Sequence, residues 1–164
     1  MNRATPEDPM DAPLPRTNLL KRLFCLSMSP LPEDPGCWEI REDRVTVDLA
    51  RAGILRTPGG ALRLEGPALP DRILLVHGED GVFRAVRNRC ACGGFRVDPV
   101  PGEPKVRCVT PMQGTYDAAE GRSLSSHVQK AVDILPVTRE GDRLVVDASA
   151  LRGVPPPHER KPAP

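Results

Sequence analysis

The chain has 164 residues, enough for one domain with tails but short for two full domains. Lysine and arginine number 23 against 22 aspartates and glutamates, and the resulting net charge of +1 excludes binding to nucleic acid or to a membrane surface through bulk charge. Five aromatic residues (Phe24, Trp38, Phe83, Phe95, Tyr116) give little material for base stacking, and 20 prolines exclude a helical bundle because proline breaks helix interiors.

Residues 1–36 hold Pro6, Pro9, Pro13, Pro15, Pro30, Pro32 and Pro35 and read as a proline-rich N-terminal extension. Such a segment is expected to be extended or disordered. The one exception is a short amphipathic turn from Asn18 to Leu26, capped by Thr17 or Asn18. The patch Leu19-Leu20-Lys21-Arg22-Leu23-Phe24 is broken by charge and does not form a signal-peptide core.

The body, residues 37–151, reads as β structure. Trp38 precedes the first strand and is expected to pack across the base of the domain. Val45, Val47 and Leu49 alternate with Thr46 and Asp48, the pattern of a half-buried strand. Leu62 and Leu64 alternate after Pro58-Gly59-Gly60. Ile73-Leu74-Leu75-Val76 is a continuous apolar run, which predicts a strand buried on both faces. Asp80-Gly81 predicts a tight turn into a strand from Val82 to Val86. Further strands are expected at Val106 to Thr110, and at Leu135 to Thr138 paired with Leu144 to Val146 around Glu140-Gly141-Asp142. Turn signals recur about every ten residues, the spacing of a small antiparallel all-β sandwich or barrel. Residues 152–164 hold Pro155, Pro156, Pro157, Pro162 and Pro164 and read as a proline-rich C-terminal tail. Residues 1–16 and 155–164 are expected to be dispensable for folding. No apolar run exceeds four residues, against the ~20 of a membrane helix, so no membrane association is expected. Five cysteines without a secretion signal predict reduced thiols and a cytoplasmic location.

Two loops carry the chemistry. The first is Asn88-Arg89-Cys90-Ala91-Cys92-Gly93-Gly94, and the second runs from Cys108 through Thr110, Pro111, Met112, Gln113 and Gly114 to Tyr116-Asp117. Glycines let backbone N–H groups approach a ligand, and thiolates are soft ligands for zinc or iron–sulfur centres. Cys90, Cys92 and Cys108 are the three candidate thiolates. A closed zinc site needs a fourth ligand, which would come from His77, His127 or a non-local group. The alternative is that Cys108 faces the core and the other two thiols are inert.

The stretch from Val45 to Val146 resembles the Rieske iron–sulfur domain of ring-hydroxylating dioxygenase ferredoxins. The matching segments are Ile73 to Val76, Asp80-Gly81-Val82-Phe83 and Asn88-Arg89-Cys90 before the first loop; Pro111-Met112-Gln113-Gly114, Tyr116-Asp117 and Gly121 in the second; and Leu135-Pro136-Val137 with Gly141 to Val146 in the closing hairpin. The resemblance implies an all-β, Rieske-like architecture, a 2Fe-2S cluster held by two cysteines and two histidines, and a redox protein as partner. It places Cys90, Cys92, Thr110 and Gln113 at the four ligand positions, of which only Cys90 is a standard ligand. Sliding the second loop by two residues puts Cys108 and Pro111 at the last two positions and loses the Gln-Gly match. Asp117 follows the aromatic of the second loop, where it is expected to stabilise a turn.

Three readings follow. The first is a Rieske-fold accessory or docking module, without bound cofactor, like the clusterless small subunit of nitrite reductase. The second is an electron-transfer protein with an altered iron–sulfur cluster ligated through Cys90, Cys92 and Cys108. The third is a thiol switch in which Cys108 pairs with Cys90 or Cys92 across the loops. None is a stand-alone enzyme. His127 is expected to be solvated, His77 to be structural, and His158 to lie in the tail; Cys25 and Cys37 have no assigned role.

Overall fold

The computed structural model describes residues 24–112 and 114–161. In chain order the strands are β1 (Trp38–Arg41), β2 (Arg44–Asp48), β3 (Ala61–Leu64), β4 (Ile73–His77), β5 (Phe83–Arg87), β6 (Val97–Pro99), β7 (Lys105–Cys108), β8 (Thr115–Asp117), β9 (Ile134–Leu135), β10 (Val137–Glu140) and β11 (Arg143–Asp147). They form three antiparallel sheets, ordered β1-β2-β11-β10, β3-β4-β5-β9 and β6-β7-β8. The all-β expectation holds, and among the described residues no helix is long and apolar enough to cross a membrane.

The period-2 alternation of β2 sends Val45 and Val47 into the core, where β11 pairs alongside with Leu144 opposite Val47. Trp38 is partly buried against the same core. The run Ile73 to Val76 is buried throughout, as its composition predicts. Ile73 and Leu75 enter a core between the first two sheets, while Leu74 and Val76 enter a second core toward the third sheet. β4 is therefore the shared wall of two cores. At Gly81, where φ is +76°, the predicted turn leads into β5.

The chain departs from the sequence expectations at three places. Leu135 to Thr138 is not one strand: Pro136 divides it, leaving β9 against β5 and β10 against β11, in different sheets. A proline has no N–H to continue a ladder, and here the chain crosses from one sheet to the next. The strand expected to reach Thr110 ends as β7 at Cys108, so Val109 and Thr110 belong to the second loop. The third departure is the C-terminal segment, which lies against the domain over residues 152–161 rather than hanging as a loose tail. Arg87, 2% exposed, donates to the carbonyls of Val154 (3.0 Å) and Pro155 (3.3 Å). Arg160 forks onto Asp133 at 2.9 and 2.6 Å, and Lys130 donates to the Arg160 carbonyl. Prolines give up N–H donors but keep their carbonyls, and the Pro155 carbonyl docks this segment beside that of Val154 and the Arg160 guanidinium.

The N-terminal extension is anchored in its last part. The Asp98 carboxylate accepts from the Ser27 hydroxyl (2.5 Å), the Met28 N–H (2.7 Å) and the Ser29 N–H and hydroxyl (3.1 and 2.8 Å), and the Arg63 N–H donates to the Pro30 carbonyl at 3.0 Å. Residues 1–16 and the predicted turn from Asn18, except Phe24 to Leu26, lie outside the described residues.

Candidate metal centre

The first loop leaves β5 and closes on itself. The Cys90 N–H donates to the Phe95 carbonyl at 2.7 Å, and the Gly94 N–H returns to the Cys90 carbonyl at 3.0 Å. Gly94 sits at φ +74°, a conformation that glycine adopts without strain. The Asn88 side chain accepts from the Val97 N–H at 2.8 Å and ties the loop to β6. Arg72 adds a 2.6 Å hydrogen bond to the Gly94 carbonyl. The second loop is pinned where the Cys108 N–H donates to the Gly114 carbonyl at 2.8 Å. The loops meet at Tyr116, a fully buried side chain whose hydroxyl accepts from the Ala91 N–H at 3.0 Å.

At this junction the sulfurs of Cys90, Cys92 and Cys108 all lie within 4.8 Å of one another. Cys90 Sγ is 3.0 Å from Cys92 Sγ, and Cys92 Sγ is 3.6 Å from Cys108 Sγ. Cys90 and Cys108 are buried while Cys92 is exposed, so the group opens to solvent on one side. Thr110 is buried, with its hydroxyl 3.1 Å from Cys108 Sγ. Gln113 lies outside the described residues.

Of the three thiols, Cys90 is the one whose ionisation its neighbours favour, while Cys92 and Cys108 are held back from it. Hydrogen bonds from the Cys108 and Cys92 thiols and from the Cys92 and Gly93 N–H groups bring the Cys90 thiol down to about 5, against a burial penalty that acts the other way. Donating to Cys90, together with burial, raises Cys108. Burial and the neighbouring Cys90 charge raise Cys92, to which the Tyr116 hydroxyl also donates. Burial beside these thiols pushes the Tyr116 hydroxyl up. A site that already stabilises one thiolate among three sulfurs is chemically suited to a soft cation.

The described residues grouped at this junction do not supply the imidazoles of a standard Rieske cluster. That cluster needs two imidazoles on one iron. Among the described residues, the grouped metal-ligating side chains are three cysteines and no histidine. The His77 ring donates to the Leu55 carbonyl at 2.9 Å and stacks on Phe83. His127 is exposed, as expected, and donates to the Met112 carbonyl at 2.8 Å. Asp117 accepts from the N–H groups of Ala119 (2.8 Å) and Glu120 (2.9 Å), the turn role its position implies. Cys37 is a core side chain and Cys25 stands apart from the sulfur group.

Sequence reasoning missed the charge network beneath the first loop. Asp71 is paired with Arg87 at 2.7 Å and Arg89 at 2.6 Å, and Arg87 continues to Asp133 at 3.1 Å. Burial alone would raise the Asp71 carboxyl; the two guanidiniums overcome it and hold the group below the usual carboxylate range. No local pattern marks this network, since its members lie far apart in the chain. The one available signal is an arginine, Arg87, within a strand whose neighbours Ala85 and Val86 are apolar.

No protein-family model and no curated protein matches the chain. Among solved structures the chain is similar to the ferredoxin of carbazole 1,9a-dioxygenase from Nocardioides aromaticivorans IC177, with 18% identity, 55% of this chain and 86% of that chain covered, and a TM-score of 0.47. It is also similar to a chain in the complex of reduced oxygenase and oxidized ferredoxin in carbazole 1,9a-dioxygenase (16% identity, 56% and 83% covered, TM-score 0.46). A third is the cyanobacterial plasma membrane Rieske protein from Synechocystis PCC 6803 (21% identity, 54% and 86% covered, TM-score 0.44). The solved structures to which this chain is similar thus include Rieske ferredoxins and Rieske proteins, and the reading of its site rests on its own residues.

Proposed function

We propose that this chain is a Rieske-type accessory module of a redox system in which a three-thiol centre replaces the Cys-and-His ligand set. The observation that carries the reading is the convergence of the Cys90, Cys92 and Cys108 sulfurs within 4.8 Å. This favours metal ligation through these three residues over a module with inert thiols, and it favours Cys108 over Thr110 as the second-loop donor. Thr110 then serves as a hydrogen-bond partner of the Cys108 sulfur. The centre holds a soft ion, and Phe95 and Met112, both exposed beside it on the two loops, supply apolar contact for a protein partner.

The test is metal analysis of the full chain purified without oxygen after expression with iron, sulfide and zinc supplied. The expected result is about one soft ion per chain, lost on changing Cys90, Cys92 or Cys108 to serine and kept in Cys25→Ser and Cys37→Ser. A rhombic electron-paramagnetic signal from the reduced wild type would instead establish an iron–sulfur cluster and contradict this reading.

The 3.0 Å approach of the Cys90 and Cys92 sulfurs supports a thiol switch within the first loop in the metal-free form, in place of the pairing with Cys108 across the loops that the sequence suggests. In that form a peroxide-class oxidant would join the two sulfurs: the thiols give up two electrons and two protons, the S–S bond forms, and the peroxide O–O bond breaks as it is reduced to water. A two-proton mass loss that is blocked by bound metal supports this second reading.

A further inference from the structure

Three thiols leave a tetrahedral ion one ligand short. Among the described residues, the rings of His127 and His158 each meet one of the two loops. His127 already donates to the Met112 carbonyl. His158 differs: its Nδ1 is sealed from solvent and has no hydrogen-bond partner. Its Nε2 faces the Glu159 carboxylate at 3.4 Å. An imidazole with one nitrogen on a carboxylate and the other unpaired has the polarity of a metal ligand held by its outer neighbour.

The position of this ring follows from the doubled glycine of the first loop. A Cβ at Gly94 would lie 2.4 Å from His158 Cε1, 2.7 Å from Nε2 and 2.8 Å from Nδ1. The ring therefore lies directly on the backbone two residues after Cys92, in space that any other residue at position 94 would fill. The segment carrying it is fixed on both sides of the histidine. Arg87 holds the carbonyls of Val154 and Pro155 before it, and Asp133 and Lys130 hold Arg160 after it. Pro156 and Pro157 stiffen the span between the anchors.

Resting on the three-thiol reading, we infer that His158 supplies the fourth ligand to a single tetrahedral ion held by Cys90, Cys92 and Cys108. The imidazole stands beside the sulfur group rather than within it. Ligation requires the ring to move from its place on the Gly94 backbone toward the sulfurs. The C-terminal segment is then the closing wall of the centre, and the ion joins it to the two loops.

The probe is cobalt(II) alone, titrated into the metal-free full chain under argon. Wild type is expected to bind one ion with the intense visible bands of tetrahedral cobalt, and its proton NMR spectrum to contain a cobalt-shifted, exchangeable imidazole N–H. His158→Ala is expected to weaken binding roughly tenfold or more, and His158→Cys to restore it with added sulfur-to-cobalt charge transfer. His127→Ala should match wild type. If cobalt binds wild type but the shifted imidazole signal is absent, the inference about His158 is overturned, whatever the folding of the variants. Equal affinity and spectra for wild type and His158→Ala would overturn it too, leaving the three-thiol reading intact. No cobalt binding by wild type would overturn both.

Discussion

The two sides of β4 are built on different terms. Toward the first two sheets, Ile73 and Leu75 meet Val45, Val47, Leu62, Leu64 and Leu144, a core of aliphatic side chains in which Cys37 is one more small apolar residue. Toward the third sheet, Leu74 and Val76 meet Cys90, Cys108 and Tyr116. On this side two of the three groups that would bind metal, Cys90 and Cys108, are themselves core side chains. One side of the molecule needs only the right apolar residues at period two, and the other needs particular atoms in particular places. Changes at the site are therefore also changes to a core.

The largest effect should come from breaking the network that holds the site half together. Arg87→Met leaves Asp71 and Asp133 without their buried partner and frees the carbonyls of Val154 and Pro155. Removing one member of a buried ionic network costs about 3–5 kcal/mol. Urea unfolding should show that loss, and limited proteolysis should now cut within residues 152–161. A smaller destabilisation with an uncut C-terminal segment would show that the network is not the anchor.

A sharper comparison uses two neighbours on one strand. Leu74 and Leu75 are both fully buried and face opposite cores. Leu74→Ala and Leu75→Ala should each cost about 2–5 kcal/mol in denaturant unfolding. Only Leu74→Ala should also change the rate at which Cys90 and Cys108 react with a thiol reagent. Equal changes in reactivity from both variants would mean that the two cores are not separate.

Proton linkage gives a more moderate effect. In the metal-free protein the Cys90 thiol titrates at about 5, against an ordinary 9.0. A depressed value contributes stability that is fully present above 9.0 and is lost as pH falls through about 5. Cys92 and Cys108 are raised, so their contribution is present below the ordinary thiol value and fades as pH rises beyond it. Wild type minus Cys90→Ser, followed by unfolding at a series of pH values, should show a stability advantage growing from pH 5 toward pH 9. A difference independent of pH would mean that Cys90 is not the thiolate of the group.

The smallest effect should come from the solvated edge of the first sheet. Arg41 and Glu39 form an ion pair at 3.1 Å with side chains 81% and 57% exposed. Such pairs contribute little, so Arg41→Ala should leave the unfolding midpoint and the thiol titration where they were.

The same asymmetry governs what the sequence makes legible. Alternation located β2, and the composition of Ile73 to Val76 marked β4 as buried on both faces, because burial there depends only on side-chain polarity at successive positions. The two loops were legible as a pair through Cys-x-Cys-Gly-Gly and the Pro-to-Asp motif. The choice between Cys108 and Thr110 was not, since residues two apart on an extended strand share a face and only the end of β7 at Cys108 separates them. Pro136 was visible, but its consequence, a crossing between sheets, depends on which neighbours β9 and β10 find. The docking of residues 152–161 was hidden for a different reason. It rests on backbone carbonyls and on charges brought together from positions 71, 87, 133 and 160, and neither leaves a periodic trace.

X-ray absorption at the edge of the ion bound to the purified full chain tests the central claim most directly. The account predicts a single metal in a first shell of three sulfurs at about 2.3 Å and one nitrogen at about 2.0–2.1 Å, with no metal–metal scattering. Iron with a second iron nearby, bridged by sulfide and bound by imidazoles on one side, would contradict it and restore a standard Rieske centre.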